Sequence, residues 1–385
     1  MNDQSETILL AVIGLSPAVL TETLWALAQE ADPILPDRIV VITTSTGRAL
    51  LEQKLFTPDP CLNDLCPWDA LRQALAQSGH SLEKRLRFGA TPSDICVFTA
   101  TDPATGRSRE LSDLRTPQDN EAAADFLLDQ VRTVVENPDA RLIASMAGGR
   151  KTMGALLYAC LTLAGRETDR LTHVLVNEPY ETLPGFWFPA QPGPPLKDRQ
   201  GNLLSPLQAQ VELADVPFVP LRNLFQRELG RPVGTFSRLV DACRATLRRR
   251  AAEDLQLTID PTRHEIELGG RTLKLAPLEM LTLLFLGTRA KRGERAFNSY
   301  KDAQEELNSF REQQRDSRPT SIPSDWRHSE ALRQICDDRT IIRSISDLRA
   351  KLRTFGDLGP LLAACLPEKV RCSLDIPGPA IFIKG

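Results

Sequence analysis

Two stretches of this 385-residue chain combine a buried strand with a helix that begins a few residues later. The first is an apolar run at residues 7–14, followed by a helical pattern at residues 18–27. The second is an apolar run at residues 141–144, followed by a helical pattern at residues 154–161. Uninterrupted apolar strands are typical of parallel sheets, whose strands need helical crossovers. These stretches therefore predict an α/β fold built on a parallel sheet.

The rest of the first half continues the same alternation. Further strands are predicted at residues 37–44 and 93–99, and a helix with apolar positions on one face is predicted at residues 119–135. Strands that alternate with helices predict a sheet with helices packed on both of its faces.

The turn after the strand at residues 141–144 has the chemistry of an anion site. Ala147, Gly148 and Gly149 precede Arg150, Lys151 and Thr152 at the start of the helix. A helix N-terminus offers unpaired backbone N–H groups and the positive end of the helix dipole, and this one adds two cations and a hydroxyl. Phosphate is the anion that such a turn suits.

This turn does not match the common phosphate-binding motifs. A P-loop has two glycines five positions apart before its Lys-Ser/Thr pair, whereas Gly148 and Gly149 are adjacent and directly precede Arg150. The dinucleotide-binding G-x-G-x-x-G pattern is also missing. An ordinary strand-to-helix turn with solvated cations remains the alternative interpretation.

Two other predicted strands also end in polar turns. The strand at residues 7–14 ends in Gly14 and is followed by Leu15, Ser16 and Pro17. Pro17 suits the first position of the next helix, and Ser16 suits its N-cap. Thr44 is the last residue of the strand predicted at residues 37–44, and Ser45 follows it. Ligands of open α/β sheets bind at the carboxyl ends of the strands, which is where these turns are expected to meet. An ordinary cap is the alternative role for Ser16.

The composition is that of a soluble globular protein, with 42% hydrophobic and 25% charged residues. No apolar run approaches the roughly 20 residues that cross a bilayer, so no membrane association is expected. Residues 1–6 are polar and acidic, unlike a signal peptide, and a cytoplasmic location is expected. The eight cysteines include no C-x-x-C pair, which predicts free thiols and no metal site.

The length and the charge distribution indicate more than one domain. Residues 1–235 carry 21 Lys or Arg against 29 Asp or Glu, whereas residues 236–385 carry 26 against 21. A cluster of Pro and Gly at residues 184–195 interrupts the alternation of strands and helices. We therefore predict a first domain at residues 1–200, a helical connector at 201–253 and an α+β domain at 254–385. The basic excess of the last part is consistent with a polyanionic partner or with a solvated surface.

The last part has a sheet-first order. Strands are predicted at residues 255–260, 264–268 and 271–275, with a Gly269-Gly270 hairpin loop, before a buried helix at residues 277–286. This order resembles the winged-helix domain of response-regulator transcription factors. The resemblance implies a recognition helix at residues 339–353, a wing hairpin at residues 371–384 and possible contact with DNA. Residues 291–327 form a longer insertion than that family carries.

The two junctions of the first half resemble the motifs of the CARF domain, the CRISPR-associated Rossmann-like module that binds cyclic oligoadenylates. Residues 12–23 are similar to its first motif and residues 145–153 to its second. Residues 173–179 resemble the strand that follows, and residues 186–189 an aromatic strand after it. The similarity covers about the first 200 residues, and it is greatest to ring nuclease-like CARF proteins of type III CRISPR systems.

The resemblance implies a homodimer that binds cyclic oligoadenylate, with cyclic tetra-adenylate as the expected ring, and cleaves it without metal or cofactor. It implies Ser16, Lys151 and Arg150 as catalytic residues. The ligand-binding residues that it implies are Gly14, Leu15, Pro17, Thr44, Ser45, Ala147, Gly148, Gly149 and Thr152. Glu22 lies one turn into the first helix, where a capping or surface role is expected.

Two other functions stay open at this point. The chain can be a ligand-responsive regulator whose winged helix contacts DNA. It can also be a CARF-gated effector whose catalytic centre matches no motif found in the sequence.

Overall fold

A computed structural model describes residues 5–102, 105–230, 234–253, 255–316, 333, 335–368 and 371–384. The chain divides into two compact units, Met1–Val240 and Asp241–Gly385. The strands of the first unit are β1 (Glu6–Val12), β2 (Arg38–Thr43), β3 (Ile95–Val97), β4 (Thr99–Thr101), β5 (Ser108–Glu110), β6 (Ala140–Ser145), β7 (Arg170–Val176), β8 (Leu196–Lys197), β9 (Leu203–Leu204) and β10 (Val211–Asp215). Its helices are α1 (Ala18–Ala28), α2 (Ser45–Leu55), α3 (Pro67–Gln77), α4 (Pro117–Val135), α5 (Lys151–Ala164), α6 (Gln226–Leu229) and α7 (Phe236–Glu253), the last of which continues into the second unit.

A six-stranded sheet in the order β10-β7-β6-β1-β2-β3 forms the centre of the first unit. All neighbouring pairs are parallel except β10 with β7. The α/β class and the mainly parallel sheet that the sequence predicts are therefore confirmed. From β1 the chain moves to one side for β2 and later to the other side for β6, which makes the boundary between β1 and β6 the switch point of the sheet.

The sheet is buried because its strands and helices are apolar where they meet. β1 is buried from Thr7 to its end, and α1 is buried from Leu20 onward, so this helix lies deep in the unit. Trp25 of α1 stacks on Phe188 with ring centroids 5.6 Å apart. Burial of such large side chains stabilises the fold by about 1.5–3 kcal/mol for each of them.

The aromatic segment at residues 186–189 is not a strand, and that prediction was wrong. Its apolar side chains are buried without ladder pairing, and the backbone polar groups of Trp187 bond to side chains. The backbone N–H of Trp187 donates to Gln191 Oε1 at 2.8 Å, and its carbonyl accepts from the hydroxyl of Thr21 at 2.8 Å.

The structure differs from the predicted connector at residues 201–253. β10 lies inside that range and completes the main sheet as its antiparallel edge strand, with Val211 and Leu213 packed against the core. The first half of the range thus belongs to the α/β unit. The short alternation in β10 is a weak local signal, and its place is decided by pairing with β7.

The second unit is an α+β structure with its own hydrophobic core. Its strands are β11 (Leu257–Asp260), β12 (Glu265–Leu268), β13 (Arg271–Lys274) and β14 (Ile381–Ile383), and its helices, besides the end of α7, are α8 (Pro277–Lys291), α9 (Tyr300–Asp316), α10 (Asp338–Arg353) and α11 (Gly359–Cys365). The three-stranded meander and the buried helix α8 agree with the sequence prediction. The polar stretch at residues 291–327 contains α9, while residues 317–327 lie outside the described residues.

The wing hairpin predicted at residues 371–384 was wrong. The strand in this stretch, β14, pairs in parallel with β11 instead of folding back on its own neighbours. Ile381 is buried in the core of the unit, so hydrophobic burial takes this segment into the sheet. The meander, α8 and the amphipathic helix α10 lie at the positions that the sequence predicted for these elements.

In the described part of the chain, no helix has the length and apolar character needed to cross a membrane. No group of three or more His, Cys, Asp or Glu side chains is arranged there to hold a metal ion.

Candidate anion-binding site

A cavity of about 1050 Å³ lies at the carboxyl ends of β1, β2 and β6 in the first unit. This volume is at the upper end of the roughly 300–1,000 Å³ that is usual for small-molecule sites. The cavity lies at the switch point of the sheet, where the chain turns in opposite directions after neighbouring strands. The residues that line it are Gly14, Leu15, Ser16, Val19, Thr44, Thr46, Arg109, Ser112, Asp113, Arg115, Thr116, Gln118, Asp119, Ala147, Gly148, Gly149, Arg150 and Met153.

The loops after β1 and β6 touch through their backbones. A Cβ on Gly14 would lie 2.7 Å from the Cα of Gly149, and a Cβ on Gly148 would lie 2.7 Å from the carbonyl oxygen of Val12. Real Cβ atoms do not approach other atoms this closely, so glycine is required for the contact. Gly149 also has φ of 84°, a conformation that favours glycine. The two junctions predicted to meet at one sheet edge do meet.

Ser16 lies at the cavity but does not cap α1. The N-cap is Pro17, whose carbonyl accepts from the N–H of Leu20 at 3.0 Å, and no side chain caps this helix. The prediction of Ser16 as N-cap was therefore wrong by one residue, since the helix begins at Ala18 and not at Pro17. Ser16 is exposed and lines the cavity, whereas Pro17 is buried outside the cavity lining.

The turn after β2 adds hydroxyl groups to the same cavity. Thr44 is buried, and its side-chain oxygen accepts from the N–H of Gly47 at 3.1 Å as the N-cap of α2. Thr46 lines the cavity beside it, whereas Ser45 does not. The N–H of Ser45 instead donates to the carbonyl of Leu111 at 2.9 Å, which ties this turn to the segment after β5.

The cations at the start of α5 have different positions. Arg150 lines the cavity, while Lys151 and Thr152 are exposed residues outside the lining. No side chain caps α5. Arg150 is the N-cap residue with an extended backbone, whereas Lys151 is the first helical residue, so the two side chains leave the backbone in different directions. The sequence could not distinguish Arg150 from Lys151 without knowing how α5 is rotated against the sheet.

A third wall of the cavity was not predicted from the sequence. It comes from β5 and the following loop into α4, and it contributes Arg109, Ser112, Asp113, Arg115, Thr116, Gln118 and Asp119. A signal was present in the sequence, since Thr116 and Asp119 form a capping box at the start of α4. Four helices, α1, α2, α4 and α5, thus begin around this cavity, and their N-terminal dipoles favour an anion there.

Charged groups of both signs face the cavity. Asp113 accepts from Arg150 Nε at 2.7 Å and Nη2 at 2.5 Å, and from Arg115 Nε at 2.8 Å. These guanidinium groups hold the pKa of the Asp113 carboxyl well below its usual range. Arg109 lies 3.6 Å from Asp119, whose pKa is lowered first by the hydrogen bond with Thr116. Three arginines therefore outnumber two carboxylates on this lining.

Glu22 does not reach the cavity, and the capping or surface role expected for it was wrong. It is buried on α1, 6% exposed, and it is absent from the lining. Burial is the main cause that raises its pKa to about 7, and the charge of Glu181 adds to the effect.

Comparison with known proteins identifies a family for most of the first unit. Residues 16–243 match the family described as CRISPR-associated protein NE0113 (Cas_NE0113). The matched region covers more than half of the chain. It includes the junction between β6 and α5, and it begins at Ser16, within the junction between β1 and α1 and after Gly14. No curated protein matches the chain significantly.

Proposed function

Since the chain belongs to the NE0113 family of CRISPR-associated proteins, we propose that it binds cyclic oligoadenylate in this cavity, with cyclic tetra-adenylate as the expected ring. One observation carries the proposal, namely the backbone contact of Gly14 with Gly149, which joins two helix starts into one site. The arginines around it favour an anionic ligand, and the cavity is large enough for more than a single phosphate. We propose further that the protein cleaves the ring and thereby ends type III antiviral signalling.

A homodimer fits this proposal. A cyclic oligoadenylate with an even number of units has rotational symmetry, and a two-fold dimer would present the same motifs to it twice. The proposal therefore includes a second copy of the chain that closes the ring from the opposite side.

The cleavage we propose uses the ribose 2′-OH of the ligand as the nucleophile. Its oxygen forms a bond to the adjacent phosphorus while the bond from phosphorus to the 5′-oxygen breaks, which leaves a 2′,3′-cyclic phosphate. The 2′-hydroxyl proton is lost to water, and the departing 5′-oxygen takes up a proton from water. Arg150 and the backbone N–H groups of Gly148 and Gly149 stabilise the charge on the phosphoryl oxygens, and Ser16 orients the 2′-OH.

Positioning and charge stabilisation have to supply most of the rate acceleration in this proposal. The lining carboxyl groups, Asp113 and Asp119, both have a lowered pKa and are weak bases at neutral pH. General acid–base catalysis typically contributes about 10²–10⁴-fold, so a site without it is expected to turn over slowly. Slow turnover is sufficient for an enzyme that removes a signalling molecule.

The test is to incubate the full chain with radiolabelled cyclic tetra-adenylate in EDTA and to separate the products. We expect linear fragments that end in a 2′,3′-cyclic phosphate. Arg150→Ala is expected to lower the cleavage rate about 100-fold, as the loss of a transition-state donor does. Lys151→Ala is the matched control, because it removes the adjacent cation from outside the cavity lining, and its effect is expected to be less than about 5-fold. An uncleaved ring, or a larger loss in Lys151→Ala, would contradict the assignment.

A ligand-responsive regulator is the second candidate. Helix α10 buries Ile341, Ile345, Leu348 and Leu352, while Arg339, Arg343 and Arg353 are exposed. These exposed arginines are the observation that favours nucleic-acid contact. An intact ring together with a ligand-dependent shift of duplex DNA, lost in Arg343→Ala, would favour the regulator. Ligand-dependent degradation of bystander RNA or DNA would favour a CARF-gated effector.

A further inference from the structure

The loop after β5 places a carboxylate on the cation that faces the cavity. Asp113 receives two hydrogen bonds from Arg150 and a third from Arg115, and all three residues line the cavity. Paired N–H donors that hold a carboxylate in this way also match two oxygens of a phosphate. An anionic ligand at Arg150 therefore competes with Asp113 for the same donors.

The second carboxylate of the lining has a different role. Asp119 accepts from the backbone N–H groups of Arg115 at 3.2 Å and Thr116 at 3.0 Å, which makes it part of the cap of α4. Among the described residues, Asp113 accepts one backbone N–H, that of Leu114 at 2.8 Å, and otherwise bonds to the guanidinium groups of Arg150 and Arg115. Those arginine bonds can be exchanged without unfolding a helix end.

The Asp113–Arg150 pair is also accessible to a ligand. The side chain of Arg150 is 50% exposed and that of Asp113 is 28% exposed. Exposed ion pairs contribute little to stability, so this pair can open at low cost. A partly exposed pair that faces a large cavity is better explained by competition with a ligand than by a need for stability.

We infer that Asp113 is an internal counter-ion that occupies the phosphate position on Arg150 and sets the affinity of the site for anions. The identity of the ligand rests on the proposed function. The competition between Asp113 and an anion for Arg150 does not. When a phosphate binds Arg150, Asp113 keeps its bond to Arg115, so the loop retains one anchor. Anions too weak to displace a carboxylate from two guanidinium donors are thereby excluded from the site.

The test measures binding of cyclic tetra-adenylate, and separately of inorganic pyrophosphate, to the full chain by calorimetry at several salt concentrations. Asp113→Asn removes the charge and keeps an oxygen for the N–H of Leu114. The matched control is Glu110→Gln, because Glu110 lies in the same segment, accepts two bonds at 2.7 Å from Arg48, and is absent from the lining. Asp113→Ser is a second variant, and circular dichroism establishes that each variant is folded.

We expect Asp113→Asn and Asp113→Ser to lower the Kd for both probes by roughly 10-fold at low salt, since a nearby negative charge is lost. Their Kd should also rise more steeply with salt than that of the unmodified protein, an effect that a purely structural role would not produce. Glu110→Gln should stay within about 2-fold of the unmodified protein, because exposed pairs away from the ligand contribute little.

The other outcomes separate this inference from the proposed function. If the cyclic ligand binds but the Kd is unchanged or higher in both Asp113 variants, the inference is overturned. Tighter pyrophosphate binding in these variants, with no binding of the cyclic ligand, would overturn the proposed ligand and support the counter-ion. Absence of binding by either probe to any of the proteins would overturn both.

Discussion

Glu22 is a carboxyl group that the fold buries within α1, and its burial makes stability depend on pH. Its pKa is raised from 4.5 to about 7 in the folded chain, so the folded state keeps a proton that the unfolded state loses at lower pH. The free energy of unfolding is therefore expected to fall as pH rises from about 4.5 to about 7. Glu22→Gln should unfold like the unmodified protein at about pH 4 and be more stable at about pH 8, by up to about 3 kcal/mol.

Thermal unfolding followed by circular dichroism at several pH values checks this prediction. The matched control is Glu181→Gln, which removes the second carboxylate that raises the pKa of Glu22. Its effect should have the same sign and be smaller, because burial is the larger cause of the shift. Equal destabilisation of Glu22→Gln at both pH values would mean that Glu22 is charged and paired in the folded protein.

At the scale of elements, the contact between the loops after β1 and β6 requires glycine. A Cβ on Gly148 would lie 2.7 Å from the Val12 carbonyl oxygen and 2.9 Å from the Ile13 Cα, and both are backbone atoms. Gly148→Ala is therefore expected to lower the free energy of unfolding by about 1–3 kcal/mol and to weaken ligand binding by separating the loops. Urea denaturation and calorimetry with cyclic tetra-adenylate measure the two effects.

Gly89→Ala is the control for this substitution. A Cβ on Gly89 would meet only the Thr91 Cγ2 atom, at 4.0 Å. The free energy of unfolding of Gly89→Ala should therefore be unchanged or slightly higher than that of the unmodified protein. If Gly148→Ala matched this control in both measurements, the close approach of the loops would not be required for the site.

At the scale of the whole molecule, the two units have separate cores. A substitution that destabilises the second unit should therefore leave ligand binding in the first unit unchanged. In the second unit, buried Glu279 accepts from Lys351 Nζ at 2.6 Å and from the N–H of Ala276 at 2.7 Å. Glu279→Gln should destabilise this unit by about 1–3 kcal/mol, because it weakens a charged pair and a helix cap. Binding of cyclic tetra-adenylate should stay within about 2-fold, since the cavity belongs entirely to the first unit.

Glu267→Gln is the comparison for this prediction. Glu267 is exposed and lies 3.7 Å from Lys384, so its loss should change stability by less than about 1 kcal/mol. Differential scanning calorimetry resolves the effect of each substitution on unfolding. A large loss of ligand binding in Glu279→Gln would show that the second unit contributes to the site.

The sequence by itself determined the alternation of β1, α1, β2 and α2, the second junction at β6 and α5, and the β11–β13 meander. These features depend on apolar periodicity and on glycines that are close together in the chain, so neighbouring residues encode them. The expectation that the turns after β1, β2 and β6 meet also followed, because parallel strands end at one edge.

Only the tertiary structure decided which charged groups face the cavity. Arg150 pairs with Asp113, a partner 37 positions away in the chain. It faces the lining while Lys151 does not. Both facts depend on the rotation of α5 and on the path of the loop after β5, which are set by packing across the sheet. Packing also buries Glu22 and adds β10 to the sheet, since burial and strand pairing join residues that no local pattern connects.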